Sequence, residues 1–168
     1  MWYVIQTMAG SEEEVRRQAQ LLIPEVEFRI LYRIGSFKFR GEWTTKSLIM
    51  FPGYIFVITD DPSSIMMKLR KIEKFARMVK FDDMFIPVSA EEQRILSRMS
   101  GDDDTIDTST GIIEGDRIVV KEGPLIGLES RIKRIDRHKR LAYVGFSMGS
   151  RDVEVELGLS IIEKIEAT

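Results

Sequence analysis

Gly101-Asp102-Asp103-Asp104-Thr105-Ile106-Asp107-Thr108-Ser109-Thr110-Gly111 carries four aspartates, no basic residue and one apolar residue between two glycines. So little apolar surface cannot offset the entropy of ordering a chain, and the segment reads as a linker. As a flexible coil of about 11 residues it would span roughly 15–20 Å. A long acidic loop inside one domain is the alternative. With the linker, the 168 residues divide into 1–100, 101–111 and 112–168, two small domains around an acidic flexible joint.

The flanks differ in charge. Residues 1–100 hold 15 basic and 13 acidic side chains, and residues 112–168 hold 10 of each. Within the second part the signs separate. Arg131, Lys133, Arg134, Arg137, Lys139 and Arg140 are opposed locally only by Asp136, whereas Glu154, Glu156, Glu163 and Glu166 come later. A domain with one basic side binds a polyanion even when its net charge is zero. Cysteine is absent, which excludes disulfides, thiolate metal sites and cysteine nucleophiles. His138 is the one histidine, so a histidine-rich metal site is excluded too. No apolar run approaches the roughly 20 residues that cross a bilayer. Met1-Trp2-Tyr3-Val4-Ile5 is not a signal peptide, and a cytoplasmic protein is expected, with no membrane partner and no cofactor.

The first part alternates strands and helices, the pattern of an α+β sandwich. Trp2 to Thr7 reads as a strand. Ser11-Glu12-Glu13-Glu14 reads as a capping box in which Ser11 and Glu14 satisfy each other's amides, followed by a helix with Val15, Ala19 and Leu22 on one face, ended by Pro24. Strands are expected at 26–34, 48–50, 54–59 and 75–81, with an exposed hairpin or loop over 35–46. Asp61-Pro62 opens one helix and the box Ser89-Ala90-Glu91-Glu92 another. The second part has five short apolar runs, at 117–120, 130–135, 141–146, 153–157 and 161–165, with glycine-bearing or polar turns between them. That is the spacing of a small five-stranded antiparallel barrel.

Two strings carry a family likeness: Phe51-Pro52-Gly53-Tyr54-Ile55-Phe56-Val57 with Trp2-Tyr3-Val4-Ile5-Gln6 upstream, and Gly115-Asp116-Arg117-Ile118-Val119-Val120 followed by Gly123-Pro124, Ile132 and Ile135. In this order the chain resembles the NusG family of transcription elongation factors. The resemblance implies an N-terminal α/β sandwich (NGN-like) that binds RNA polymerase, and a C-terminal SH3-like β-barrel with the KOW motif. It also implies that aromatics of the first string meet the clamp helices of polymerase, which assigns that role to Phe51, Pro52, Gly53, Tyr54 and Phe56. The residues agree in part: proline fixes φ, glycine admits φ > 0, and the turn feeds a strand. That strand presents Tyr54 and Phe56 on one face and Ile55 and Val57 on the other, unless both faces are buried, as in a central strand.

The chain also departs from the general factor. Ser130 stands where the KOW motif usually has glycine, and Leu125, Leu128 and Met148 stand where large aromatics meet ribosomal protein S10 and the terminator Rho. The resemblance therefore leaves S10 and Rho in doubt as partners. The basic run and Gly149-Ser150-Arg151-Asp152 look like the specialised LoaP antiterminators, which implies recognition of a hairpin in nascent leader RNA by a monomer. Non-template DNA is a further partner that the likeness admits. The residues assigned to RNA are Arg131, Lys133, Arg134, Arg137, His138, Lys139, Arg140 and Arg151. The turn 136–139 concentrates cations for phosphates, and Arg137, His138 and Arg151 are of types that stack on or hydrogen-bond to bases. The three-residue spacing of Ile132 and Ile135 suggests a bulge.

Other chemistry fares less well. No Gly-Lys-Ser/Thr follows the glycines 145, 149 and 158, so they form no phosphate loop. Asp82-Asp83 and Asp102 to Asp104 read as solvated surface, and no catalytic set emerges. Phe37-Lys38-Phe39-Arg40 interleaves aromatics with bases, which suits single-stranded nucleic acid or simply a hairpin tip with one packed face. A ribosome-associated KOW protein is the competing class, but it needs neither the 51–57 string nor the helical first half.

Overall fold

The structure, a computed structural model, describes residues 1–72, 77–78, 80–81 and 84–166. In chain order the elements are β1 (Trp2–Gln6), α1 (Glu12–Leu22), β2 (Glu27–Arg29), β3 (Tyr32–Phe39), β4 (Glu42–Ile49), β5 (Tyr54–Ile58), α2 (Pro62–Leu69), β6 (Arg77–Met78), β7 (Lys80–Phe81), β8 (Met84–Phe85) and α3 (Ala90–Ser100). They continue with β9 (Thr105–Ile106), β10 (Ser109–Glu114), β11 (Arg117–Glu122), β12 (Ile132–Asp136), β13 (Leu141–Met148) and β14 (Arg151–Ile165). Of the strand expected at 75–81, β6 and β7 are seen, and the remainder, like Asp82 and Asp83, lies outside the described residues.

Contacts gather the chain into two units. The first comprises Met1–Leu31, Phe51–Ile95 and Ser147–Asp152. Its main sheet runs β2-β5-β1-β6, with β1 antiparallel to β5 from Trp2 opposite Ile58 to Gln6 opposite Tyr54. Two central strands made of Trp-Tyr-Val-Ile and Ile-Phe-Val are buried on both faces, as that position demands. Helix α1 packs on β2 and β5. It buries Val15 and Ala19, and Gln20 ties it to β2 by accepting from the Phe28 amide at 3.4 Å while donating to the preceding Val26 carbonyl at 2.7 Å. Asp61 caps α2 by accepting from the Ser64 amide at 3.2 Å, with Pro62 in the first turn, as expected.

The second unit comprises Tyr32–Met50, Leu96–Phe146 and Val153–Thr168. The stretch 35–46 is paired strand almost throughout: β3 and β4 hold register from Tyr32 opposite Ile49 to Phe39 opposite Glu42. Five strands form one sheet in the order β11-β10-β14-β13-β12. Among the described pairings β11 and β12 are not joined, so the ladder is an open sheet. Its composition corrects the sequence reading. The runs at 153–157 and 161–165 are one strand, β14, and the fifth strand is β10, which begins inside the expected linker. Gly158 does not break β14. Its hydrogen faces Thr108, and a Cβ there would stand 2.6 Å from the threonine methyl, so glycine is what lets β14 pass. Within 101–111, β9 pairs with β3, Ile106 is fully buried, and Ser109 accepts from the Leu125 amide at 3.1 Å.

Among the described residues, no helix is long and apolar enough to cross a membrane.

Candidate nucleic-acid interface

The turn of the first unit is built from its backbone outward. The Tyr54 amide donates to the Phe51 carbonyl at 3.0 Å, closing the turn with Pro52 second and Gly53 third. Gly53 has φ +82°, and a Cβ would lie 2.8 Å from the Thr7 carbonyl oxygen, so both conformation and space require glycine. The Thr7 amide donates to the Gly53 carbonyl at 2.7 Å. Glu12, 2% exposed, accepts from the amides of Gly10 and Gly53. This replaces the expected capping box. Ser11 makes no side-chain cap and its amide donates to the Met8 carbonyl, while Glu14 accepts from Arg17 and Gln18.

The aromatics then sort themselves. Phe51 and Phe56 are 2% and 0% exposed and meet edge to face at 5.5 Å, and Trp2 lies 5.6 Å from Phe56. The expectation that Phe51 and Phe56 meet a partner directly is corrected: β5 is a central strand and both rings are core. Pro52 is exposed, Tyr54 is half-buried and stacked on Phe51, and Gly53 is buried. Met8, 78% exposed, sits on the adjoining turn that bonds to Gly53 and adds apolar surface that the sequence reading missed. Leu125 and Leu128 are buried in the second unit, and Met148 is buried in the first.

The basic hairpin lies in the second unit. β12 and β13 pair across the turn 137–140, where the Lys139 amide donates to the Asp136 carboxylate at 3.0 Å. The expected bulge is present, with the register shifting between Ile132 and Arg134. The cations are not equivalent. Arg131 leans over Phe146 and donates to the Gly145 carbonyl at 3.3 Å. Lys133 is exposed on the bulge. Arg134 lies 3.7 Å above the Tyr143 ring and pairs with Glu154 at 3.3 Å. Arg137, His138 and Lys139 are exposed at the tip. Arg151 is exposed and belongs to the first unit. The expected separation of basic and acidic sides is incomplete, because Glu154 and Glu156 of β14 each reach an arginine.

The β12–β13 turn and the β3–β4 hairpin, both in the second unit, line a cavity of about 940 Å³. One wall is Arg137, His138, Lys139 and Arg140, and the other includes Phe37, Lys38, Arg40 and Trp43. Arg140 has φ 55° and sets its guanidinium 3.8 Å over the Trp43 ring. Lys46 lies 4.6 Å from the Phe37 ring centre. Arg33, 8% exposed, also lines the cavity. Its Nη2 binds Glu156 at 3.0 Å, whereas its Nη1 is buried without a hydrogen-bond partner. Burial pushes the Arg33 pKa below its ordinary value, and Glu156 opposes that. The sequence singled out 37–40 and 131–140 separately and missed Arg33 and Trp43. The hairpin register, which sets Lys38 opposite Trp43, was the signal that would have found Trp43.

Among the described residues no group of histidine, aspartate or glutamate is arranged to hold a metal ion. The arrangement offers charge, hydrogen-bond donors and ring faces: a binding surface.

Comparison with known proteins gives a consistent result. Residues 1–97 match the family described as "Transcription termination factor nusG". The proteins named "Transcription termination/antitermination protein NusG" from Campylobacter jejuni and Helicobacter pylori are 22% and 26% identical. The alignments cover 98% of this chain and 97% and 98% of theirs. The solved structure described as "Domain interaction in Thermotoga maritima NusG" shares the fold with TM-score 0.53 and 23% identity, covering 94% of this chain and 92% of that one.

Proposed function

Because this chain belongs to the NusG family of transcription termination factors, we propose that it binds RNA polymerase through the turn 51–54 and nascent RNA through the β12–β13 hairpin. The chain is a NusG-type transcription termination/antitermination factor, and NusG proteins are transcription factors rather than enzymes. In this reading residues 1–100 carry the polymerase-binding role and residues 112–168 the RNA-binding role, in the cytoplasm where both partners meet. Tyr54, Pro52 and Met8 present the polymerase surface, and Phe51 and Phe56 hold it from beneath.

The observation that carries the RNA assignment is the exposed tip Arg137-His138-Lys139, flanked by Arg134 and Arg140. Adjacent strands bring these cations to one end of the sheet, where phosphates of an RNA stem are reached together. The LoaP-like role, antitermination on a particular transcript, rests on this basic run. Neutralising about four phosphates gives a slope of log affinity against log salt near −3 to −4. The test is RNA-hairpin binding over a salt series with the full chain and with Arg134, Arg137 and Lys139 changed together to alanine. Weaker binding and a flatter slope are expected from the triple variant. Unchanged affinity with the fold intact removes the hairpin from the mechanism and leaves a general elongation factor.

A further inference from the structure

We propose that the cavity between the β3–β4 hairpin and the β12–β13 turn holds a short unpaired stretch of nucleic acid, with a base stacked on the Arg140–Trp43 pair. This rests on the reading of the β12–β13 hairpin as an RNA-binding element, and it adds a second kind of contact.

Three observations converge. The first is the wall chemistry. Exposed cations and two aromatic rings face one concavity, the combination by which proteins hold single strands, since every base has a π-face and every nucleotide a charge. The volume of about 940 Å³ lies within the roughly 300–1,000 Å³ of ligand cavities, whereas a paired stem is read at the surface. The second is Arg140. A non-glycine residue at φ 55° is held in a sparsely populated conformation, and here it sets a guanidinium 3.8 Å over the Trp43 ring. A base stacks on such a guanidinium–indole pair as on an aromatic ring, and the guanidinium N–H groups donate to phosphate oxygens. The third is Arg33. It places a guanidinium charge in the cavity lining, where burial and the Glu156 ion pair hold it in place. Glu156, bound to Nη2 of Arg33, orients the guanidinium.

RNA and DNA single strands share this chemistry, so both are probes: short oligo(U) and oligo(dT), beside a blunt RNA hairpin with a minimal loop. Binding to the full-length chain is followed by anisotropy and by tryptophan emission, to which Trp43 and the core Trp2 both contribute, so the change on binding is assigned to Trp43 by comparison with Trp43→Phe. The expected result is that one oligomer binds, quenches the emission, and loses about 5- to 100-fold in affinity with Trp43→Ala, while Trp43→Phe keeps most of it. The quenching should vanish in Trp43→Phe although binding persists, a readout that does not depend on the alanine variant folding. Whichever oligomer binds more tightly identifies the strand. Failure of both oligomers, or unchanged affinity in Trp43→Ala, overturns the cavity assignment. If the blunt hairpin still binds in that case, only the cavity assignment falls. If it does not bind either, the hairpin reading falls as well. An oligomer that binds through Trp43 beside a hairpin that never binds sustains the cavity and removes the hairpin reading.

Discussion

Glu12 shows how a single side chain fixes a turn. It is nearly fully buried, and its two carboxylate oxygens take the amides of Gly10 and Gly53. The turn that presents Pro52 and Tyr54 is thus tied to the start of α1. Replacing Glu12 with alanine leaves two amides without that acceptor, a loss worth about 1–3 kcal/mol. We expect a corresponding fall in the urea midpoint with an unchanged m-value, and Glu12→Gln, which keeps one carbonyl oxygen, should lose less. An unaltered midpoint in Glu12→Ala would show that the contact contributes nothing to the fold. The position was legible. Residues 12, 15 and 19 lie on one helical stripe, and a glutamate on the stripe of Val15 and Ala19 points inward. Reading the run Ser11 to Glu14 only as a cap hid it, because capping chemistry and burial compete for the same glutamates.

At the scale of elements, local patterning found most helices and strands and missed those held by distant partners. The helix starts at Asp61 and Ser89, the turn at Pro52-Gly53 and the bulge before Arg134 were all readable, since each depends on neighbours within a few residues. The segment 101–111 was not. Its aspartates argue for a solvated coil, yet Ile106 is buried and Thr105–Ile106 pairs with β3, contacts that no composition argument foresees. The cavity was half legible. The aromatic-basic stretch 37–40 and the basic run were each visible, but the meeting of the two hairpins is tertiary. Hydrogen exchange resolves the acidic segment. We expect fast exchange at residues 102–103 and protection near Ile106 approaching that of β3. Uniformly fast exchange over 101–111 would instead describe the free linker that composition alone suggests.

Across the whole chain, the proposed function places two binding surfaces on one small protein, an apolar turn for polymerase and a basic hairpin with its cavity for nucleic acid. The first is a turn held by the Thr7 amide and the Glu12 carboxylate, and the second is a turn between two paired strands. Separate loss is the signature of such a design: changes at the basic hairpin should leave polymerase binding intact. The most direct measurement is the affinity of the full chain for RNA polymerase, with Tyr54→Ala beside it. Half-buried aromatics anchor interfaces, and truncating this one should cost on the order of 1–3 kcal/mol of affinity, roughly 5- to 150-fold, with the melting curve preserved because the core rings Phe51 and Phe56 remain. Wild-type protein that binds polymerase, with Tyr54→Ala folded and weakened by that amount, is the predicted result. No binding by the wild type, or full affinity in a folded Tyr54→Ala, would contradict it.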